Sequence, residues 1–370
     1  MKRSVATVAT VTVGTVVVLG LGIAGAPGVG ASTPPRGWMH EGSWQQESGG
    51  RVALVDDSGV RVELPRQVRR IVSLAPSNTE TLFHIGAGDL LVGATRFDEH
   101  PPEAAAVPRV GGFADIDVER VLALRPDLVL AAGFHAGGVA PRLRGLGLTV
   151  FVIEPRDAAE AIDRVELLGR IVGREARARN AARRLRQRMA RVQARVVGAR
   201  GRPRVLYQLS RDLYSAGPGS FPHDLIVRAG GANIAASAGD RYPRLSEEFV
   251  IAADPEVIFV AGHESGVTAA ELRARPGWAG IAAVRTRRIV VLEDPDLAGR
   301  PGPRIVEALE IIARAIHPEA FTPAGVDDRE DLGSGPSEDG VGRRPEPTSV
   351  RIPAPAPLTL ALAASRGRRP

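Results

Sequence analysis

Residues Arg174 to Val197 read REARARNAARRLRQRMARVQARVV, and the division of the chain follows from this stretch. Its apolar side chains fall at Ala178, Ala182, Leu185, Met189, Val192 and Val196, in alternating steps of four and three, with arginines on the other faces. That is the stripe of an amphipathic helix of about 24 residues, roughly 36 Å long at about 1.5 Å per residue. Gly173 stands before it, and Gly198, Gly201 and Pro203 follow, so both ends are punctuated. Alone it reads as one more surface helix. The segments on either side of it change that reading.

Before the helix stands Glu119 to Gly133, ERVLALRPDLVLAAG, and after it Glu248 to Gly262, EFVIAADPEVIFVAG. The Glu-to-Pro and Pro-to-Gly spacings are the same in both copies, through Pro126 and Pro255. Each copy reads as a short helix, a Pro-acid turn, and an uninterrupted apolar strand closed by Gly, the pattern of a buried parallel strand. Six residues before each Glu is an aromatic, Phe113 in the first copy and Tyr242 in the second. Weaker echoes pair Leu82–Gly88 with Leu225–Gly231, and strand Arg70–Leu74 with Arg204–Leu209. Two copies are too few for a solenoid. The expected fold class is α/β: two Rossmann-like lobes with mostly parallel sheets, joined by a single long backbone helix.

The remaining segments fit that plan. Residues 1–31 read as a secretory signal, with Lys2 and Arg3 ahead of an uncharged run from Val5 to Ile23 and small residues at Val29–Ala31. The run is long for a signal, so an uncleaved N-terminal anchor is the alternative. Cysteine is absent, which argues against a lipid-anchored N-terminus and removes disulfides, thiolate metal sites and thiol nucleophiles. Either way the chain is expected outside the cytoplasm, periplasmic or extracytoplasmic. Residues 32–50 read as a polar linker. Residues 51–157 form the N-terminal lobe, opening with a hairpin around Asp57-Ser58-Gly59. Residues 158–198 are the linking helices, 199–319 the C-terminal lobe, and 320–370, rich in Gly, Pro and Ser, a disordered tail. Ser77 or Asn78 is the expected N-cap of the first helix.

The 370 residues carry 48 Lys and Arg against 42 Asp and Glu, a net charge of +6, and Lys2 is the only lysine. No aromatics interleave with the arginines, so the excess reads as a solvated helix face and no nucleic-acid partner is expected. Catalytic signatures of the serine-elbow, zincin, P-loop and dinucleotide kinds are missing after any strand. The competing classes are an enzyme with its site in the interlobe cleft and an adhesion protein with an empty one. His135 and His263 each follow the Gly region that ends a repeat strand, near where such sheets bind ligands. No His-x3-His pairing exists, so a metal role is not expected and an exposed loop position is the default.

The matching stretches DDSGVRVELP, RRIVSLAPSNTETLFHIGAG, VGATRFDEHPPEA, VPRVGGFADIDVERVLALRPDLVLAAG, AGPGSFPHDLIVRAGGANI, RYPRLSEEFVIAADPEVIFVAG and PRIVEAL carry a family resemblance. From about Arg51 to Glu319 the chain resembles the helical-backbone, class III substrate-binding proteins of ABC importers for cobalamin, iron siderophores and haem. Within that class it is most similar to the periplasmic cobalamin-binding family. The resemblance implies a corrinoid held by three aromatics, at Phe97, Phe113 and Tyr242; the strand-end positions of His135 and His263 make them further candidate ligand contacts. It also implies one permease-docking glutamate per lobe, Glu119 and Glu248. The implied protein is a monomer and not an enzyme. It has no cofactor of its own; its cargo is cobalamin or, alternatively, a ferric siderophore or haem. Its partners are the permease and the ATPase of an ABC importer.

Overall fold

The computed structural model describes residues 45–46, 52–199, 201–261, 266–294 and 296–322. The signal segment 1–31, all of the 32–50 linker except Gln45 and Gln46, His263, and the tail from residue 323 lie outside the described residues.

Three short strands open the described chain: β1 (Gln45–Gln46), β2 (Val52–Val55) and β3 (Arg61–Leu64) form an antiparallel sheet in that order. The expected linker thus contributes a strand, because its backbone pairs with the free edge of β2. The β2–β3 turn is wired to the N-terminal lobe. Asp56 accepts from Val152 N at 3.1 Å and from Arg144 at 2.5 Å, and Asp57 accepts from Glu154 N at 2.7 Å and from Arg164 at 2.6 Å.

The N-terminal lobe runs β4 (Ile71–Ser73), α1 (Pro76–His84), β5 (Leu91–Gly93), α2 (Val118–Ala123), β6 (Leu128–Ala132), α3 (Val139–Gly145) and β7 (Val150–Ile153). Helices α4 (Ala158–Ile171) and α5 (Glu175–Val197) follow. The C-terminal lobe runs β8 (Arg204–Gln208), α6 (Phe221–Arg228), β9 (Ala232–Asn233), α7 (Glu247–Ala253), β10 (Val257–Val260), α8 (Ala269–Ala274), α9 (Ala282–Arg285), β11 (Ile289–Val291), α10 (Asp296–Gly299) and α11 (Ile305–Ile316). The two sheets are parallel throughout, ordered β5-β4-β6-β7 and β9-β8-β10-β11. Counted from the first strand of each lobe, these are one topology: second, first, third, fourth. Strands β7, at the edge of its sheet, and β10, in the middle of its own, are both buried along their whole length, in keeping with their unbroken apolar sequences.

The sequence repeat is also a repeat of hydrogen bonds. Arg125 and Asp254, each just before the repeat Pro, adopt left-handed backbone with φ of 45° and 44°. In each lobe an arginine from the first strand region caps that turn. Arg70 donates to Leu124 O and Arg125 O, and Arg204 donates to Ala253 O and Asp254 O. The acid after each Pro accepts from the same strand's backbone, Asp127 from Arg70 N and Glu256 from Arg204 N, both at 2.9 Å.

Helix α1 starts two to three residues earlier than expected. Pro76 occupies its first turn and Ala75 is the N-cap, so Ser77 and Asn78 are buried inside the helix instead of capping it. Pro at N1 gives up no hydrogen bond, which explains the start. The described residues extend past the expected boundary at residue 320, to Thr322. Phe321 packs on the core, with Arg195 and Arg314 guanidinium groups 5.3 and 5.8 Å from its ring.

The stripe on α5 is buried at Ala178, Ala182, Leu185, Val192 and Val196, with Met189 packed against the same core. That core is continuous. It extends from Leu54 and Val62 of the hairpin through α1, α4, α5, α6 and α11 to Ile316, so the helical side of the molecule belongs to both lobes at once. Helices α4 and α5 meet at Gly169, where an added Cβ would lie 2.0 Å from the Ala178 Cβ. An exposed helical Gly→Ala gains about 1 kcal/mol in propensity. Here overpacking costs about 1–3 kcal/mol, and relief needs two helices to separate. Gly169→Ala is therefore expected to lower the urea unfolding free energy by up to about 2 kcal/mol, and a stabilised variant would contradict this packing.

Candidate functional site

The carboxyl ends of both parallel sheets face a cleft of about 800 Å³. Ligands in open α/β folds bind at such strand ends. The N-terminal lobe contributes Ala75, Pro76 and Ser77 before and within α1, Phe97, Phe113, the β6 end at Ala132–Phe134, and the β7 end at Ile153 and Glu154. The C-terminal lobe contributes Phe221 at the start of α6, Arg241, Tyr242 and Gly299–Pro301. Phe97, Phe113 and Tyr242, expected from the resemblance, thus share one cavity.

Each aromatic is positioned differently. Phe97 rides on a turn closed by Asp98, whose fully buried carboxylate accepts from Thr95 N at 2.6 Å and Thr95 Oγ1 at 2.5 Å. Burial pushes the Asp98 pKa up, opposed by the hydrogen bonds from Thr95. Arg300 of the other lobe donates to Phe97 O at 3.4 Å. Phe113 follows Gly111, which has φ of 111°; a side chain there would come within 2.4 Å of Asp115 O, so the loop requires glycine. The Phe113 ring stacks on Phe134 with centroids 5.0 Å apart and lies 4.8 Å from the His135 ring. Tyr242 is 46% exposed, with the Arg241 guanidinium 5.6 Å from its ring centroid.

His135 is not a ligand-facing histidine, and it is not an exposed one either. It is 2% exposed, and both ring nitrogens are engaged. Nδ1 accepts from Ala132 N at 3.0 Å and Nε2 donates to Phe113 O at 2.8 Å, which defines a neutral tautomer. Burial holds its pKa below the usual value of 6.5, outweighing those two hydrogen bonds. Its work is to hold Phe113. The expectation failed because a His after a strand-ending Gly looks the same whether it turns outward or inward.

Phe134 and Phe221 were not anticipated. Phe134 is 63% exposed and directly follows Gly133, so its place at a strand's carboxyl end was the available signal. Phe221 is the first residue of α6, after the N-cap Ser220.

Glu119 and Glu248 occupy the same second position of α2 and α7, capped by Asp117 and Ser246 respectively. Both are exposed, and neither forms an ion pair among the described residues. Backbone and Ser246 hydrogen bonds hold the Glu248 pKa below the usual carboxylate value.

A family model described as periplasmic binding protein matches residues 71–295, from β4 through β11. The chain belongs to the periplasmic binding protein family. Its relatives include an uncharacterised ABC transporter substrate-binding lipoprotein, YvrC of Bacillus subtilis, 30% identical over 73% of this chain and 87% of that one. A cobalamin-binding protein of Halobacterium salinarum is 33% identical over 71% of this chain and 73% of that one. Among solved structures, the vitamin B12-binding protein BtuF of Vibrio cholerae is similar, with a TM-score of 0.61, 29% identity, and coverage of 68% of this chain and 98% of that one. The haem-binding protein RhuT of Roseiflexus matches equally, with a TM-score of 0.61, 29% identity, and coverage of 68% and 99%. A periplasmic binding protein of this architecture is what the two-lobed α/β reading anticipated.

The histidine at Phe113 makes a pH prediction. A depressed folded pKa means that the unfolded chain takes up a proton that the folded chain refuses. The associated stability is complete above the unfolded value of 6.5 and is lost as pH falls below it. His84 and His223, also depressed by burial, act in the same direction. His135→Asn is therefore expected to flatten, without abolishing, the fall in melting temperature between about pH 7 and about pH 5. An unchanged slope would remove His135 from that role.

Proposed function

We propose that this protein is an extracytoplasmic binding protein that captures a corrinoid in its cleft and hands it to the permease and ATPase of an ABC importer. The observation that carries this reading is one cavity lined by Phe97 and Phe113 from one lobe and Tyr242 from the other. Aromatic faces give a large, flat ligand contact area at low entropy cost. A cleft of about 800 Å³ lies toward the upper end of small-molecule sites, which run from about 300 to about 1,000 Å³. The cobalamin- and B12-binding relatives support the ligand class. Residues 1–31 serve as signal or anchor, and the chain acts as a monomer.

The cargo is the only group the site holds, and no catalytic residue is assigned. Glu154 is the one carboxylate among the described residues that line the cleft, and it accepts from Gly133 N at 2.9 Å. General acid–base work would need a positioned partner. A haem reading rests on Tyr242, since an exposed phenol is a haem-iron ligand type and His135 has no nitrogen to offer.

Calorimetric titration of residues 32–322 with cyanocobalamin, haemin and a ferric hydroxamate separates these cargoes. Submicromolar affinity for cyanocobalamin alone is expected. Preference for either iron compound would keep transport and reject the corrinoid. Phe113→Ala and Tyr242→Ala should each weaken cyanocobalamin binding by at least about 1 kcal/mol, and an unchanged dissociation constant in both would reject the aromatic walls. For docking, rim charges set register and association rate. Reversing both Glu119 and Glu248 to Arg should abolish uptake while leaving ligand affinity intact. Normal uptake by that variant would sink the docking role.

A further inference from the structure

We infer that Arg241 is the residue by which the cleft selects its cargo, its guanidinium taking an anionic group of the ligand, a phosphate or a carboxylate. This rests on the small-molecule cargo reading above and goes beyond it by assigning a charge to the ligand and a wall to that charge.

The two lobes place an arginine immediately before a cleft aromatic, Arg96 before Phe97 and Arg241 before Tyr242, each stacked over its neighbour's ring at 5.3 and 5.6 Å. Their electrostatic fates differ. Arg96 is neutralised by both carboxylate oxygens of Asp115, at 3.0 and 2.9 Å. Among the described residues, the Arg241 side chain has neither an ion pair nor a hydrogen bond. The other charged groups lining the cleft are committed: Arg300 to Asp296 at 2.6 Å and to Phe97 O, Glu154 to Gly133 N. Arg241 therefore presents an unneutralised positive charge to the cavity.

Its backbone is held while its side chain is not. Gly217 N donates to Arg241 O at 2.9 Å and Ser215 N donates to Pro243 O at 2.8 Å, tying residues 241–243 to the strand-end segment beneath. A guanidinium lying over an aromatic face keeps its N–H groups in its own plane, directed past the ring edge. That is the fork suited to bidentate contact with phosphate or carboxylate oxygens. A ligand stacked on Tyr242 would bring an appended anion to that edge.

Two ligand pairs distinguish the sources of the anion. Cyanocobalamin carries a phosphodiester in its nucleotide loop and dicyanocobinamide lacks it; haemin carries two carboxylates and its dimethyl ester none. Dissociation constants are measured for the wild-type chain, Arg241→Gln and Arg241→Lys, with melting temperatures as a folding control. The expected result is that Arg241→Gln shrinks the preference for the anionic member of the bound pair by about tenfold, the scale of one charged hydrogen-bonded contact, and that Arg241→Lys retains part of it. A wild type that binds a pair with a preference unchanged in Arg241→Gln overturns the assignment to Arg241 and leaves the cargo reading standing. A wild type that binds neither pair overturns the assignment to Arg241, and the cargo reading falls with it if the ferric hydroxamate does not bind either.

Discussion

The structure depends on one constraint: the apolar stripe of α5 and the face of α4 are buried in a core that both lobes share. At Gly169 and Ala178 the two helices approach so closely that no side chain beyond hydrogen fits on one of them. Polar ties cross the same region. Arg188 of α5 grips both carboxylate oxygens of Glu310 on α11, at 3.0 and 2.9 Å. Arg304, ahead of α11, bridges Asp294 at 2.6 Å in its own lobe and Glu80 on α1 at 2.9 Å in the other, with Glu80 only 4% exposed. A buried carboxylate in that position tolerates no loss of its partner, because an uncompensated charge is costly away from water. The lobes are consequently held at their helical side, and any change in cleft width is confined to small rotations about it.

On that frame the chain builds the same half twice. The strand order, the left-handed residue before the repeat Pro, and the capping arginine recur together, so the repeat is one of hydrogen bonds as well as of sequence pattern. The halves differ in their last crossover, one helix against two, and in the cleft loops. Phe113 is braced by Phe134 and His135, whereas Tyr242 stands half in solvent. Scaffold is repeated where it carries load, and varied where it meets the ligand.

The legible parts of the sequence were those governed by local periodicity. The α5 stripe, the apolar strands and the Pro-acid turns are short-range patterns, and each lies within a few residues of its expected place. The three cleft aromatics became legible through resemblance, since nothing in the spacing of Phe97 and Phe113 tells that they share a cavity with Tyr242. What was hidden depends on contacts far apart along the chain. Whether His135 is buried hinges on a carbonyl 22 residues away, and whether Arg96 is neutralised hinges on an acid 19 residues away. The Glu80–Arg304 bridge spans 224 residues. The β1 strand was obscured for the opposite reason, being two polar residues whose only qualification is an open sheet edge beside them.

The turn between β2 and β3 adds a dependency of another kind. Asp57 accepts the backbone N–H of Glu154, whose side chain in turn receives Gly133 N at the end of β6. The hairpin that begins the described chain is thereby the outer end of a relay reaching the cleft wall. It is a small appendage by size, but its carboxylate fixes the height at which the neighbouring strand ends, much as a shim sets the seat of a bearing. Sequence drift in that hairpin is consequently not neutral for ligand fit, although no atom of it touches the cavity.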